Sequence, residues 1–248
     1  MRPWSFQLYS ARIFPPLARI LKLLAKLGYS QVEGYGDYDN PRQLRSVLDH
    51  LGLTMPTIHI DLTTLRQSPN QAFQVSRCLG VGTIICPYLT TETRPVDTPG
   101  WIQLGDALMA VASQCRAAGF DFAWHNHDFE FKQLPDGQWP MKLLLDHTDI
   151  GWEMDPAWIV RAKSDPLVWI QKYGPRLQAV HLKDLAPAGE NANEDGWSDV
   201  GFGTMNWPQL LCVLQSTPAK WWVMEHDKPN DLERFAKRSL ATANKLVQ

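Results

Sequence analysis

Apolar residues recur along the chain with two alternating periods. Short apolar runs bounded by Gly, Pro, Asn or Asp are each followed by a stretch whose apolar positions repeat every three or four residues, the marks of a buried strand and an amphipathic helix. Phe6 to Tyr9 is the first such run. Leu17, Ile20, Leu21, Leu24 and Leu27 then line one face of a helix over Pro16 to Leu27, which Gly28 stops. The pair recurs as Gln31 to Gly34 with Pro41 to Leu51, Met55 to Ile60 with Asn70 to Leu79, and Gly82 to Cys86 with Trp101 to Ala118. The second half repeats it as Asp121 to His125 with Met141 to Leu145, Ile150 to Asp155 with Pro156 to Ile170, Gln178 to Lys183 with Trp207 to Leu214, and Trp221 to Glu225 with Leu232 to Val247.

Strands that alternate with helices imply a parallel sheet, because parallel neighbours need a long crossover. Eight units in 248 residues average 31 each, close to the ~30 of a βαβ unit and the ~250 of one eightfold barrel. The expected fold is therefore α/β, a single (β/α)8 TIM barrel domain over residues 1–248, with no linker dividing it. An open doubly wound sheet is the alternative, but no G-x-G-x-x-G follows the first strand and no P-loop occurs. The longest irregular stretch, Ala186 to Asn206, follows the seventh strand, where a barrel carries an active-site loop, and it is expected to act as a lid.

In a barrel the chemistry lies at the carboxyl ends of the strands. Those ends are polar here: Val32-Glu33-Gly34, His59-Ile-Asp61, Trp124-His-Asn-His127, Glu153-Met-Asp155, Val180-His-Leu-Lys183 and Met224-Glu-His-Asp227. Side chains alternate across a strand, so His125, Glu153, Asp155, His181, Lys183 and Glu225 share the inward face, with Ala123, Gly151, Ala179 and Val223. Phe122, Trp124, Trp152, Met154, Val180, Leu182 and Met224 take the outward face, beneath the helices. Facing carboxylates and imidazoles cost several kcal/mol when buried unless a cation or hydrogen bonds compensate them. One divalent ion held by His125, Asp155, His181 and Glu225 would do so, with His127 as substitute if His125 faces elsewhere; a metal-free polar layer is the competing reading. Mixed imidazole and carboxylate ligands suit Mn²⁺, Zn²⁺, Co²⁺ or Fe²⁺ better than Ca²⁺ or Mg²⁺.

Composition narrows the function classes. Apolar residues make up 44% and charged ones 20%, which excludes a disordered chain. A formal charge of −2 offers no general basic surface for nucleic acid or anionic lipid. Cys78, Cys86, Cys115 and Cys212 lack C-x-x-C spacing, which argues against thiolate zinc and for reduced buried thiols. Without a secretory signal at Met1 to Gln7, or an apolar run near the ~20 residues that span a bilayer, cytoplasmic residence is expected and no membrane partner. Association into a homo-oligomer stays open.

The strand-end motifs resemble the xylose isomerase-like TIM barrels, the superfamily of sugar phosphate isomerases and epimerases that also contains endonuclease IV. The likeness spans nearly the whole chain and rests on Trp124-His-Asn-His-Asp-Phe-Glu-Phe131, Glu153-Met-Asp-Pro156, His181-Leu-Lys-Asp184, Val200-Gly-Phe-Gly203 ahead of Trp207, and Met224-Glu-His-Asp227. In many members a Glu, an Asp, a His and a second Glu from strands five to eight bind one divalent metal, and the two glutamates serve as acid and base. The resemblance implies the last three roles for Asp155, His181 and Glu225. It departs at strand five, where His125 stands in place of the first glutamate and removes a negative charge and a strong base.

Further candidates surround this set. Glu33 could touch substrate or orient a metal-bound imidazole, and His59 could bind a sugar hydroxyl, act as an acid or be structural. Lys183 could stabilise an enolate or bind an anion, or pair with Asp155 or Glu153. Glu130 could return from its loop as the missing acid/base or be solvated. Trp197 could close over a sugar ring. His50 and His147, in helical contexts, carry no catalytic role. The Gly201-x-Gly203 turn reads as a hinge rather than a phosphate cradle. The expectation is a metal-dependent isomerase or epimerase of a small-molecule sugar or keto-sugar, free or phosphorylated, working through an enediolate with Glu225 as proton carrier. A lyase or hydratase acting on a 3-keto-sugar is the alternative. An endonuclease IV-like phosphodiesterase, which needs more metals and a cationic face, and a non-catalytic homologue stand behind it.

Overall fold

The computed structural model describes residues 3–36 and 38–247. Eight parallel strands close into a barrel: β1 (Ser5–Gln7), β2 (Gln31–Tyr35), β3 (Thr54–His59), β4 (Thr83–Cys86), β5 (Asp121–His125), β6 (Gly151–Met154), β7 (Leu177–Leu182) and β10 (Trp221–Met224). Two further strands, β8 (Asp184–Leu185) and β9 (Trp197–Ser198), pair antiparallel above the seventh barrel strand. β10 pairs with β1 and so closes the ring. The expected (β/α)8 barrel is the fold.

The pleat sorts side chains as the alternation predicts. Phe122, Trp124, Trp152, Met154, Val180, Leu182 and Met224 all join the hydrophobic core against the helices. The inward positions lower in the barrel are small or short, Thr57, Thr83, Ala123, Ala179 and Val223, all buried. An eight-stranded barrel leaves room inside for little more than such side chains. This floor supports a layer of ionisable groups one pleat higher.

Helices fill the crossovers: α1 (Leu17–Leu27), α2 (Pro41–Leu51), α3 (Leu62–Gln67), α4 (Pro69–Leu79), α5 (Thr98–Ala117), α6 (Pro140–His147), α7 (Pro156–Arg161), α8 (Pro166–Tyr173), α9 (Trp207–Leu214) and α10 (Leu232–Leu246). None of the described helices is long and apolar enough to cross a membrane.

Four local expectations change. The helix predicted over Pro156 to Ile170 is two: Lys163 takes a positive φ of 63° between them. Pro166 lacks an N–H and pushes Asp165 out of the helical region, and the Asp165 carboxylate caps the new start by accepting from Leu167 N at 2.9 Å. The first strand ends at Gln7, whose side chain accepts from Tyr9 N and starts a 3-10 turn over Leu8–Ala11. The unpredicted α3 is nucleated by Asp61, which accepts from Thr64 N at 2.9 Å. Finally, Ala186 to Asn206 is not wholly irregular: the β8–β9 pairing runs through it, and the buried Asp184 carboxylate accepts from Leu185 N, Gly201 N and Met205 N.

Candidate metal centre

At the carboxyl ends of the strands the barrel gathers Glu33 from β2, His59 from β3, His125 from β5, Glu153 from β6, His181 from β7 and, one residue beyond β10, Glu225. All are at most 6% exposed. Asp155 follows β6 and does two things at once. Its Oδ1 accepts from Ala157 N at 2.9 Å and Trp158 N at 3.0 Å, capping α7. Its Oδ2, buried, has no hydrogen-bond partner. Leaving such an oxygen unpaired costs about 1–3 kcal/mol, more for a charged group, so a cation there would be stabilising.

The expected set converges. One ligand atom each from His125, Asp155, His181 and Glu225 lies within 4.8 Å of the others, and all four residues are buried. His127 is not in this group; its ring sits beside that of His125, 5.0 Å away at 87°, and lines the cavity above. His181 spans two carboxylates, with Nδ1 3.0 Å from Glu225 Oε2 and Nε2 2.8 Å from Glu33 Oε1. Nδ1 is thus the nitrogen that faces Glu225, a fellow member of the group, and Glu33 holds the ring from behind, as outer carboxylates do for metal-bound histidines. Gln7 Nε2 donates to the same Glu33 Oε1 at 2.6 Å. Glu33 does not line the cavity, so of its two expected roles only the orienting one is compatible with the geometry.

A second grouping overlaps the first: His59, His125, Glu153 and His181 also bring their atoms within 4.8 Å. Glu153 Oε2 stands 2.6 Å from His59 Nε2, 3.2 Å from His181 Nε2 and 3.3 Å from His125 Nδ1. Glu153 is the residue that sequence reasoning placed inward but gave no role beyond a salt bridge to Lys183. Its signal was present in Glu153-x-Asp155, two carboxylates on one face of one strand. His59 lines the cavity, bonded to Glu153 rather than free.

Ionisation follows from these neighbours. Burial would raise Glu33, but His59 and His181 hold it well below the usual carboxylate range. Glu153, buried beside Glu33, is nevertheless brought down to about 2 by His181 and His59. Those two imidazoles resist burial in turn: Glu33 and Glu153 carry His59 up to about 9, and His181 is raised well above its usual value by Glu153, Glu225 and Glu33. His125 is lowered well below, by burial and then by the charge of His181, and burial with the charge of Lys183 takes His127 down to about 3. Neutral His125 is in the form that ligates metal. Burial raises Asp155 to about 7 against the pull of Lys183, whereas Lys183 and His181 overcome burial to keep Glu225 ionised.

Lys183 is fully buried, its Nζ 4.3 Å from the Trp197 ring centre and 4.8 Å from that of Trp158. It lies 3.0 Å from Glu225 Oε2, 2.5 Å from Asp227 Oδ2 and 3.7 Å from Asp155 Oδ2. The ion pair expected with Asp155 or Glu153 is therefore made chiefly with Glu225 and Asp227, and Lys183 does not line the cavity. Trp197 does; it is 1% exposed and packed edge-on against Trp158 at 4.6 Å, and so forms part of the cavity wall.

Glu130 departs from both expected positions. It is neither solvated nor in the cavity: fully buried, it accepts from Trp124 Nε1 and from His127 N, both at 3.0 Å. Trp124 faces outward, so Glu130 binds the back of the His125–His127 segment. Burial raises its carboxyl to about 8.

A closed parallel barrel with carboxylates and imidazoles at the carboxyl ends of its strands belongs to the (β/α)8 class. Within it, the chain is a member of the xylose isomerase-like TIM barrel family, whose profile matches residues 21–246. Among solved structures it is similar to a sugar phosphate isomerase/epimerase of Parabacteroides distasonis, with a TM-score of 0.82 and 20% identity over 99% of this chain and 95% of that one. It is also similar to the probable 3-DHS dehydratase AsbF of Bacillus anthracis, with a TM-score of 0.76 and 13% identity over 98% and 99%. A third similar structure is the IOLI protein with a bound zinc atom, with a TM-score of 0.75 and 16% identity over 100% and 96%. At these identities the likeness is one of fold. No curated protein sequence matches the chain.

Proposed function

We propose that the protein is a divalent-metal-dependent isomerase or epimerase of a sugar or keto-sugar. The observation that carries this reading is the buried cage of His125, Asp155, His181 and Glu225, with Asp155 Oδ2 left without a hydrogen-bond partner inside it. Borderline ions such as Mn²⁺, Zn²⁺, Co²⁺ or Fe²⁺ match this donor set. When bound, such an ion supplies Lewis acidity toward the adjacent hydroxyl and carbonyl oxygens of a sugar.

Glu225 is the proton carrier. Lys183 Nζ and His181 Nδ1 both engage its Oε2, which leaves Oε1 for the substrate, and Glu225 lines the cavity. As a carboxylate it takes the proton from the hydroxyl-bearing carbon beside the carbonyl, and the resulting enediolate takes it back at the former carbonyl carbon as the hydroxyl proton passes to the former carbonyl oxygen. Lys183 stabilises the carboxylate without touching substrate. Across the cavity His59 and His127 offer imidazole N–H groups to the sugar hydroxyls. The second reading, elimination or hydration of a 3-keto-sugar, is favoured by His125 standing in place of a glutamate: an imidazole-rich wall suits protonation of a leaving group.

The test follows solvent proton exchange into a panel of keto-sugars by the metal-loaded protein, together with release of any leaving group. Exchange without release supports the isomerase, release supports the lyase, and neither outcome removes both. Glu225→Gln should keep the ion through its amide oxygen yet lower kcat by about 10²-fold or more, the scale of a lost general base. Turnover near the parent's would take the proton from Glu225.

A further inference from the structure

We infer that the substrate is an unphosphorylated sugar carrying a second ring, with that second ring seated on Tyr9 at the cavity mouth; this deepens the carbohydrate reading above and rests on it. Barrels commonly take phosphate on main-chain N–H groups of the loops after the seventh and eighth strands. In this chain those groups are already used. Asp184 Oδ2 accepts from Gly201 N at 2.8 Å, and its Oδ1 from Leu185 N at 2.9 Å and Met205 N at 3.0 Å. Gly203 lies so close to the Leu185 carbonyl and the Asp184 carboxylate that a side chain there would overlap them. The buried Asp184 carboxylate thus fills the anion position with the protein's own charge. After β10 the pattern repeats: His226 N donates to Ser10 Oγ, Lys228 N to His226 Nδ1 and Asn230 N to Glu194 Oε1.

Charge along the cavity points the same way. Asp61, Asp128, Asp195, Glu225 and Asp227 line it against two guanidiniums, Arg12 and Arg161. Each guanidinium is tied to main-chain carbonyls through one nitrogen: Arg12 Nη1 donates to the carbonyls of Tyr9 and Asp227, and Arg161 Nη2 to that of Asp195. A phosphate dianion would meet more carboxylates than guanidiniums along this wall.

Size supplies the second half. The cavity measures about 1010 Å³, the upper end of the range that encloses drug-sized ligands, whereas a pyranose has only about a dozen heavy atoms. Beyond the sugar seated over Glu225, room remains toward the mouth. There Tyr9 is 37% exposed, held edge-on by Tyr35 at 5.5 Å and 87° and covered on one side by the Arg12 guanidinium at 3.8 Å. A ring fixed in this way, at the edge of a cavity, loses little freedom when another ring packs against its exposed part.

Calorimetric titration of the metal-loaded protein with D-glucose, D-glucose 6-phosphate and phenyl β-D-glucopyranoside separates the outcomes without requiring turnover. The phenyl glucoside should bind about tenfold tighter than glucose, the scale of one aromatic contact, and the phosphate no tighter than glucose. Tyr9→Ala should collapse that tenfold gap and Tyr9→Phe should keep it. Tighter binding of the phosphate, equal binding of glucose and its phenyl glycoside, or a gap that survives Tyr9→Ala overturns the inference. Binding of none of the three removes the carbohydrate reading itself, and this proposal with it.

Discussion

On the side of the barrel built by β1, β2 and β3, Gln7, Glu33 and His59 are each tied to another member of the polar layer: Gln7 Nε2 to Glu33, Glu33 Oε1 to His181 and His59 Nε2 to Glu153. On the side built by β5, β6, β7 and β10, Asp155 and Glu225 are each anchored through one oxygen, Asp155 by the start of α7 and Glu225 by Lys183 and His181. Each therefore keeps a second oxygen that makes no hydrogen bond among the described residues, that of Asp155 3.7 Å from the Lys183 ammonium. The first side orients; the second presents. Two residue sets with the same chemistry, buried Glu, Asp and His, thus have different consequences when altered, because cost follows from what each group leaves unpaired.

The sharpest way to break this comparison is to remove the presenting side. Asp155→Asn with His181→Ala should abolish metal binding, since two of the four proposed ligands are lost. Elemental analysis of the purified double variant checks it, and full occupancy would sink the assignment. A smaller effect is expected from the orienting side. Glu33→Gln keeps the shape of the side chain but removes the charge facing His181 Nε2. Outer partners of this kind are worth about 10- to 100-fold in metal affinity. Competition with a chelator of known affinity reads the change. An unaltered Kd would make Glu33 a packing residue and dissolve the distinction between the two sides.

The same distinction explains what could be read in the sequence. His125, Asp155, His181 and Glu225 were legible because strand alternation fixes which face a residue takes, and four consecutive barrel strands each offered at least one ionisable group in the inward phase. Glu153 obeyed the same rule and was left without a site role because nothing in the chain says that His59, 94 positions away, ends 2.6 Å from it. Register across the barrel brings them together. Glu130 was misplaced because a loop carboxylate beside an H-N-H run looks solvated, whereas its fate depends on the Trp124 indole reaching round the strand to it. The break between α7 and α8 was visible in Asp165-Pro166 and was outweighed by the apolar spacing on either side.

The smallest expected effect concerns Glu130, which supports the presenting side from behind. Its carboxyl is raised from 4.5 to about 8 by burial. The folded protein therefore binds a proton more tightly there than the unfolded chain does. The resulting stability is complete below pH 4.5 and is lost progressively as pH rises toward about 8. Glu130→Gln cannot ionise, so this part of the slope should vanish: Tm curves of parent and variant should converge or cross between pH 5 and 8, with the variant gaining on the parent as pH rises. At low pH the variant should not exceed the parent, because an amide can offer only one acceptor oxygen to the two donors, Trp124 Nε1 and His127 N. Metal affinity should change little, since Glu130 touches no ligand atom. Parallel Tm curves across this range would mean that Glu130 titrates alike folded and unfolded, and a large loss of metal would mean that the segment behind His125 is less rigid than its hydrogen bonds imply.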